Sequence, residues 1–534
     1  MKDLLRFITC GSVDDGKSTL IGHILYDSKL LYADQKKALE LESKVGSRGG
    51  DIDYSLLLDG LTEEREQGIT IDVAYRYFTT DSRSFIVADT PGHEEYTRNM
   101  AVGASFADLA VILIDARKGV LTQSRRHARI CSVMGIRNYV FAVNKMDLVE
   151  YDEEIFKGIV KHIDILRAEL GLKNVKIIPV SATEGDNVTH RSDNMPWYKE
   201  EPLLEYLENV DINEGDTEDG FYLPVQRVCR PDHNFRGFQG QIESGHISVG
   251  DEIRVVPGGE TAGIKRIYVA DKETEEASAG QPVTIQLDRE IDISRGNVIV
   301  KDIEVRASSG AETTLIWMDD NPLKKGGSFY FKLGTALIPG VVSEILYKID
   351  VNTGAYIKAD EILKNEICLC RISFSDSIPI GKFKDHRSIG ELILIDRVSF
   401  MTSACGVVEK VTSDVAEDKG RISEDARSAA MGQQAVTVIF KESEEIDKEL
   451  LWEVEKKLIL EGRNTYFIDA GEKKASEENI NTLKTLNDAG LVVLLLVSGE
   501  NYKTLGTDLH AVTYRGKKRD RDGLADFVKE VSCL

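Results

Sequence analysis

Eight residues near the start of the chain, Gly11-Ser12-Val13-Asp14-Asp15-Gly16-Lys17-Ser18, carry the spacing GxxxxGK[ST]. A strand-like run, Arg6–Cys10, leads into them, and a helical pattern follows. Glycines in such a loop let backbone N–H groups wrap phosphate oxygens. Lys17 would reach the β and γ phosphates, and the Ser18 hydroxyl would ligate Mg²⁺. The expected cradle runs from Gly11 through Ser12, Val13, Asp14, Asp15 and Gly16 to Lys17, Ser18 and Thr19. Its ligand is a nucleoside triphosphate with Mg²⁺.

A second constellation selects the base. Asn144-Lys145-Met146-Asp147 follows the strand candidate Tyr139–Val143. A carboxylate at Asp147 accepts from guanine N1–H and the exocyclic amine, whereas adenine offers neither donor in that geometry. Asn144 would brace the loop, and the Lys145 stem would lie over the base. Ser181-Ala182, after the strand candidate Lys176–Pro179, stands where a backbone contact to guanine O6 belongs. The nucleotide is therefore GTP.

A third element is Asp89-Thr90-Pro91-Gly92-His93, behind the strand candidate Ser84–Ala88. Asp89 can hold a Mg²⁺ water, and the Gly92 N–H can sense the γ-phosphate. His93 would orient the attacking water; without its neighbours it would read as a surface-loop histidine. Thr70 closes the segment Glu64-Arg65-Glu66-Gln67-Gly68-Ile69-Thr70 and would contact Mg²⁺ and the γ-phosphate. Alone it would be a plain strand residue, so that role rests on the other motifs. The expected catalytic residues are His93, Lys17 and Thr70, and the expected metal set is Ser18, Thr70 and Asp89.

These residues need elements to hold them. Strand candidates Arg6–Cys10, Ser84–Ala88, Leu109–Ile114, Tyr139–Val143 and Lys176–Pro179 are mostly separated by helical patterns. Such alternation predicts a mostly parallel sheet covered by helices, over residues 1–212. An acidic, Gly-containing stretch, Asp211 to Gly220, marks a change of style. Short strands with turn signals then predict two small β-barrels, 220–309 and 310–411, with a break near Ser308 to Ala311. Residues 412–434 are polar and read as a linker. The α/β style returns over 435–534, with strands Val436–Phe440 and Leu491–Val497 and an amphipathic helix Glu444–Leu460. The fold class is multidomain α/β plus β.

The composition bounds the function. A length of 534 residues exceeds one core. Lys plus Arg total 67 against 90 Asp plus Glu, a net charge of −23. That field disfavours nucleic-acid backbones and anionic membranes, but leaves one nucleotide pocket possible. Seven cysteines without a CxxC pair make no disulfide framework. Cys368 and Cys370 would share one strand face as small core residues. The first residues carry charge where a signal peptide needs an apolar stretch, and no run is long enough for a membrane span. A cytoplasmic location is expected. His23 and His127, on helical patterns, read as surface or packing histidines. Asp232-His233-Asn234 offers one histidine without a spaced partner, a poor metal site. Glu63-Glu64-Arg65-Glu66 reads as a solvated charge run.

Together these motifs resemble the translation-factor superfamily of GTPases, a G domain followed by two β-barrels. Elongation factors usually carry His-Val-Asp-His in the phosphate loop; here Ser12-Val13-Asp14-Asp15 stands instead, as in the sulfate-activating subfamily. Tyr96-Thr97-Arg98-Asn99-Met100, Ile71 through Phe78, Ser192-Asp193-Asn194-Met195-Pro196-Trp197-Tyr198 and Val225 through Pro231 are similar to that subfamily, the GTP-hydrolysing large subunits of bacterial sulfate adenylyltransferase. The resemblance covers about residues 1 to 410. It implies a small partner, a PP-loop ATP sulfurylase subunit, that joins ATP and sulfate into adenosine 5′-phosphosulfate (APS) and pyrophosphate. GTP hydrolysis on this chain would drive that uphill step. A tRNA-carrying translation factor is the rival reading; the acidic charge and the departed phosphate loop speak against it.

The last 120 residues resemble the kinase that phosphorylates APS, through Ala435–Phe440, Leu458 through Asp469, Glu478-Asn479-Ile480 and Asp488 through Val493. Such a kinase needs a Gly-rich loop after Phe440. Here Lys441-Glu442-Ser443-Glu444-Glu445-Ile446-Asp447-Lys448 has no glycine and places four carboxylates where phosphates would sit. Phosphotransfer is expected to be absent.

Overall fold

Strands buried on both faces show continuous apolar runs instead of alternation. β4 (Leu109–Asp115) and β5 (Asn138–Asn144) are buried at every position, and β1 (Leu5–Cys10) at all but one. With β2 (Ala74–Thr79), β3 (Ser84–Asp89) and β6 (Asn174–Pro179) they form one sheet in the order β2-β3-β1-β4-β5-β6. Only β2 runs antiparallel, against β3. The computed structural model describes residues 4–27, 70, 72–212, 220–232, 235–270, 272–351, 353–412, 427, 431, 433–471, 477–498 and 510–532. The charge run Glu63–Glu66, Ile71, His233, Asn234 and most of the expected linker 412–434 lie outside them.

Helices α1 (Lys17–Asp27), α2 (Thr97–Phe106), α3 (Thr122–Val133) and α4 (Glu153–Leu170) connect the strands. α4 shows how local chemistry sets a boundary. Asp152 accepts from the N–H groups of Glu154 and Ile155 at its start, and Gly171 ends it in the left-handed conformation. Cys10, Asp89, Asp115 and Asn144 are the last residues of β1, β3, β4 and β5. Open α/β sheets bind ligands beyond this carboxyl edge.

Residues 221–301 form an eight-stranded antiparallel sheet curled around its own core, including Phe221, Phe238, Ile267, Ile285 and Ile299. The following unit closes fully. Its six strands run in the order Ser328–Leu333, Glu391–Asp396, Thr402–Thr412, Arg306–Trp317, Ile367–Ile380 and Ala336–Ile349, and the last pairs back with the first. The break expected near Ser308 to Ala311 falls inside a strand. Arg306–Trp317 runs through it, with a register irregularity between Ser308 and Gly310. The Ser308 hydroxyl is bonded into that irregularity, 3.1 Å from the Gly310 nitrogen and 2.5 Å from the Thr412 carbonyl. The preceding sheet ends at Lys301, so the seam lies at 302–305. Within the barrel strand Ile367–Ile380, Cys368 and Cys370 are buried in its core with Sγ atoms 3.4 Å apart.

The closed barrel packs on the first unit. Ile316, Met318, Ile367, Phe383 and Val407 join its core. The Phe383 ring lies where any Cβ at Gly135 would come within 2.5 Å. Arg387 donates to the Ser105 carbonyl of α2 at 2.5 Å.

The C-terminal sheet is parallel, ordered Thr465–Gly471, Val492–Val497, Val436–Lys441, Ala511–Thr513. The helix expected from Glu444 begins instead at Lys448 and runs to Leu460. Ser443 and Ile446 pair across a tight turn, and Asp447 caps the helix through the Leu450 N–H at 2.9 Å. Among the described residues no helix is long and apolar enough to cross a membrane.

Candidate functional site

β1 runs straight into the glycine-bounded loop, and α1 begins at Lys17. Gly11 has φ +150°, and a Cβ there would lie 2.8 Å from the Leu113 carbonyl oxygen. At Gly16, φ is +91° and a Cβ would meet the Asn144 amide at 2.5 Å. Both positions exclude side chains. Asp14 is exposed in the left-handed conformation, Val13 is half-buried, and Ser12 and Thr19 are buried. Asp15 folds back inside the loop and accepts from the Ser12 N–H at 2.6 Å. Burial pushes its carboxyl up to about 6, against the opposing pull of Lys17 and the Ser12 hydrogen bond.

Lys17 is buried, and its ammonium donates to the carbonyls of Gly11 at 3.2 Å and Ser12 at 2.9 Å. Burial lowers its pKa, while Asp89 and Asp15 work against that. The Ser18 hydroxyl donates to Asp89 Oδ2 at 2.8 Å, and the Thr9 hydroxyl to Asp89 Oδ1 at 2.8 Å. Burial raises the Asp89 pKa against Lys17 and both hydroxyls. Ser18 and Asp89 therefore present hard oxygen donors side by side, a donor set that fits Mg²⁺. Thr70 is half-buried, and among the described residues no hydrogen bond joins it to Ser18 or Asp89.

Gly92 lies against the same loop. A Cβ on it would come within 2.7 Å of both the Gly11 oxygen and Lys17 Nζ. Its neighbour His93 stands at the rim, its side chain about half exposed at 49%. His93 Nδ1 accepts from the Glu95 N–H at 3.3 Å, capping the short turn Glu94–Tyr96. The structure thus brings Gly92 to Lys17 and leaves His93 at the edge.

The segment Asn144–Asp147 is tied to the loop 11–16. Asn144 donates to the Asp15 carbonyl at 2.7 Å and accepts from the Ala182 N–H at 2.9 Å. Lys145, left-handed at φ 65°, donates to the Asp14 carbonyl and pairs with Asp115 at 3.1 Å. Burial pushes Asp115 up, but hydrogen bonds from Arg117 and Lys145 outweigh it and hold the carboxyl well below the usual range. The Ser181 hydroxyl donates to Asp147 Oδ1 at 2.6 Å, fixing that carboxylate.

Sequence reasoning missed several partners. Thr9 lies inside the run Arg6–Cys10 and Asp115 directly follows the run Leu109–Ile114, and neither is assigned a role by its motif. His127, expected to be a surface or packing histidine, is buried and accepts from the Gly11 N–H through Nδ1 at 3.1 Å. The spacing of Ser124, His127, Ala128 and Cys131 along one face of α3 was the available signal.

Residues 2–212 match the family described as elongation factor Tu GTP binding domain, and 310–409 the GTP-eEF1A C-terminal domain-like family. The sulfate adenylyltransferase subunit 1 of Francisella tularensis subsp. novicida is 49% identical over 411 residues, 77% of this chain and 87% of that one. The subunit of the same name from Saccharophagus degradans is 48% identical, over 79% of this chain and 90% of its own. A bifunctional enzyme CysN/CysC from Xylella fastidiosa is 44% identical over 517 residues, 93% of this chain and 83% of that protein. Among solved structures, sup35 complexed with GMPPNP is 26% identical, covering 77% of this chain and 95% of that one, with a TM-score of 0.36.

Proposed function

We propose a function from one premise: this chain belongs to the sulfate adenylyltransferase subunit 1 family. In this reading it is the GTP-hydrolysing subunit of a sulfate adenylyltransferase. It couples GTP hydrolysis to the formation of APS and pyrophosphate from ATP and sulfate on a small PP-loop partner subunit. The carrying observation is the convergence on one loop of Lys17, the Ser18–Asp89 pair, Gly92 and the Asn144–Lys145 tethers.

Each residue then has a task. Backbone N–H groups from Val13 to Thr19 hold the phosphates while Gly11 and Ser12, whose own N–H groups bond His127 and Asp15, shape the loop, and Lys17 offsets charge on the β and γ oxygens. Asp147, fixed by Ser181, accepts from guanine, with Ala182 and Lys145 bounding the base. Bound Mg²⁺ would supply charge neutralisation between the β and γ phosphates, and Ser18, Asp89 and Thr70 are the residues that would hold it. Gly92 reports the γ-phosphate, and His93 orients the attacking water. Coupling needs an element whose two states both sites bias. The Gly92–His93 loop leads through Glu94–Tyr96 into α2, whose Ser105 carbonyl is held by Arg387 of the closed barrel.

The organisation behind this reading is a G domain over 1–212, two β units with their seam at 302–305, a linker over 412–434 and a C-terminal unit over 435–534. That last unit is proposed to lack phosphotransfer. The Asp447 carboxylate occupies its own helix start. Arg519 pairs Glu445, and the Lys448 ammonium lies 6.0 Å from the Trp452 ring. Incubating the chain with ATP and APS tests this point, and 3′-phospho-APS as a product overturns it.

Purification with a PP-loop ATP sulfurylase subunit tests the main reading. GTP hydrolysis should rise when partner, ATP and sulfate are all present, with APS formed. Tight tRNA binding at physiological salt would refute it in favour of a translation factor.

A further inference from the structure

We propose that His127 is the positioning residue of the phosphate loop. It fixes Gly11, and through Gly11 it fixes the lysine that grips the terminal phosphates. The inference rests on the GTP reading above and adds a residue to it.

Gly11 is held by both of its polar atoms. Its N–H donates to His127 Nδ1 at 3.1 Å, and its carbonyl accepts from Lys17 Nζ at 3.2 Å. The backbone leaves the sheet at Gly11, so this N–H has no ladder partner. A buried donor without an acceptor is costly. His127 supplies the acceptor from outside the loop. A displaced Gly11 would move one of the two carbonyls that aim Lys17.

The helix presenting His127 is itself anchored. One turn on, Cys131 lies against the end of β1, with its Sγ 3.9 Å from that of Cys10. Arg126 pairs with Glu94 at 2.8 Å, beside His93, and Arg125 pairs with Glu169 of α4 at 3.3 Å. α3 therefore spans from the back of the phosphate loop to the Gly92–His93 segment.

The hydrogen bond demands a neutral imidazole, with its lone pair on Nδ1 and its proton on Nε2. Burial, then Lys17, then Arg126, hold the ring down to about 3. The acceptor thus persists at every pH at which the protein would work. A packing residue alone would need no lone pair there, and leucine would fill the space.

The test compares GTP affinity of the full chain in wild type, His127→Leu, His127→Asn and His127→Gln, with melting temperatures recorded without nucleotide. The Leu variant removes the acceptor and should bind GTP about tenfold or more weakly. Asn carries its oxygen at the position of Nδ1 and should recover affinity to within about threefold, while Gln, whose oxygen lies further out, should not. A Leu variant that binds like wild type overturns the proposal, as do Asn and Leu variants equally impaired. If the Leu variant does not fold, the Asn and Gln pair decides, and equal affinities overturn it. A wild-type chain that binds no guanine nucleotide overturns the proposed function and this inference with it.

Discussion

Two strand–loop–helix units in this chain share a plan and differ in one respect. In each, a strand flanked by parallel strands on both sides enters a six-residue loop, 11–16 or 442–447, and the next helix begins with a lysine, Lys17 or Lys448. The first loop has glycines at both ends in conformations closed to other residues. The second has none; a Ser443–Ile446 turn engages the N–H groups of Ser443 and Ile446, and Asp447 takes that of Leu450 at the helix start. Topology and a lysine do not make a phosphate site. What separates the two loops is the pair of glycines whose backbone no other residue can adopt.

The largest expected effect contrasts the two lysines. Lys17→Ala should lower GTP turnover about 10³-fold, and Lys448→Ala should leave it unchanged, measured by phosphate release. Equal effects would erase the distinction. His93→Ala should lower turnover about 10²-fold while GTP affinity changes little. A parallel fall in affinity would make His93 structural. Asp147→Asn should cost about 30-fold in guanine selectivity, read by competition between GTP and ATP.

Asp15 offers a pH test of the first loop. Its folded pKa, about 6, lies above its ordinary value of 3.8, so the folded state binds the extra proton between those values. Stability should therefore fall as pH rises from about 4 to about 6 on this account, and the cost stays above that window. Asp15→Asn should raise stability by about 2 kcal/mol at pH 7.5 and by progressively less toward pH 4, read from denaturant midpoints. An unchanging difference would show that Asp15 does not titrate there. The smallest effect belongs to the second loop. Asp447→Ala should cost about 1 kcal/mol of stability and gain no nucleotide binding.

The strands were legible because β1, β3, β4 and β5 are near-continuous apolar runs beside fixed motif spacings, and β6 carries a shorter one, Ile177–Ile178, after Lys176. The phosphate and base motifs were legible because each needs particular atoms at particular steps. What escaped was long-range or locally ambiguous. His127 and Gly11 are 116 residues apart, and helical periodicity reports a buried face without naming what it touches. Ser308 and Gly310 carry turn chemistry, yet here they make an irregularity within a continuing strand. Glu444 and Glu445 suit a helix, but the Asp447 cap delays its start to Lys448.

The tethers from Asn144 to the Asp15 carbonyl and from Lys145 to the Asp14 carbonyl carry a wider implication. The groups that would judge the base and those that would hold the phosphates are joined by direct hydrogen bonds. Damage to either half then propagates to the other, and substitutions in the two halves should combine non-additively. Base preference in such a protein cannot drift on its own, because any change in it disturbs the grip on the phosphates.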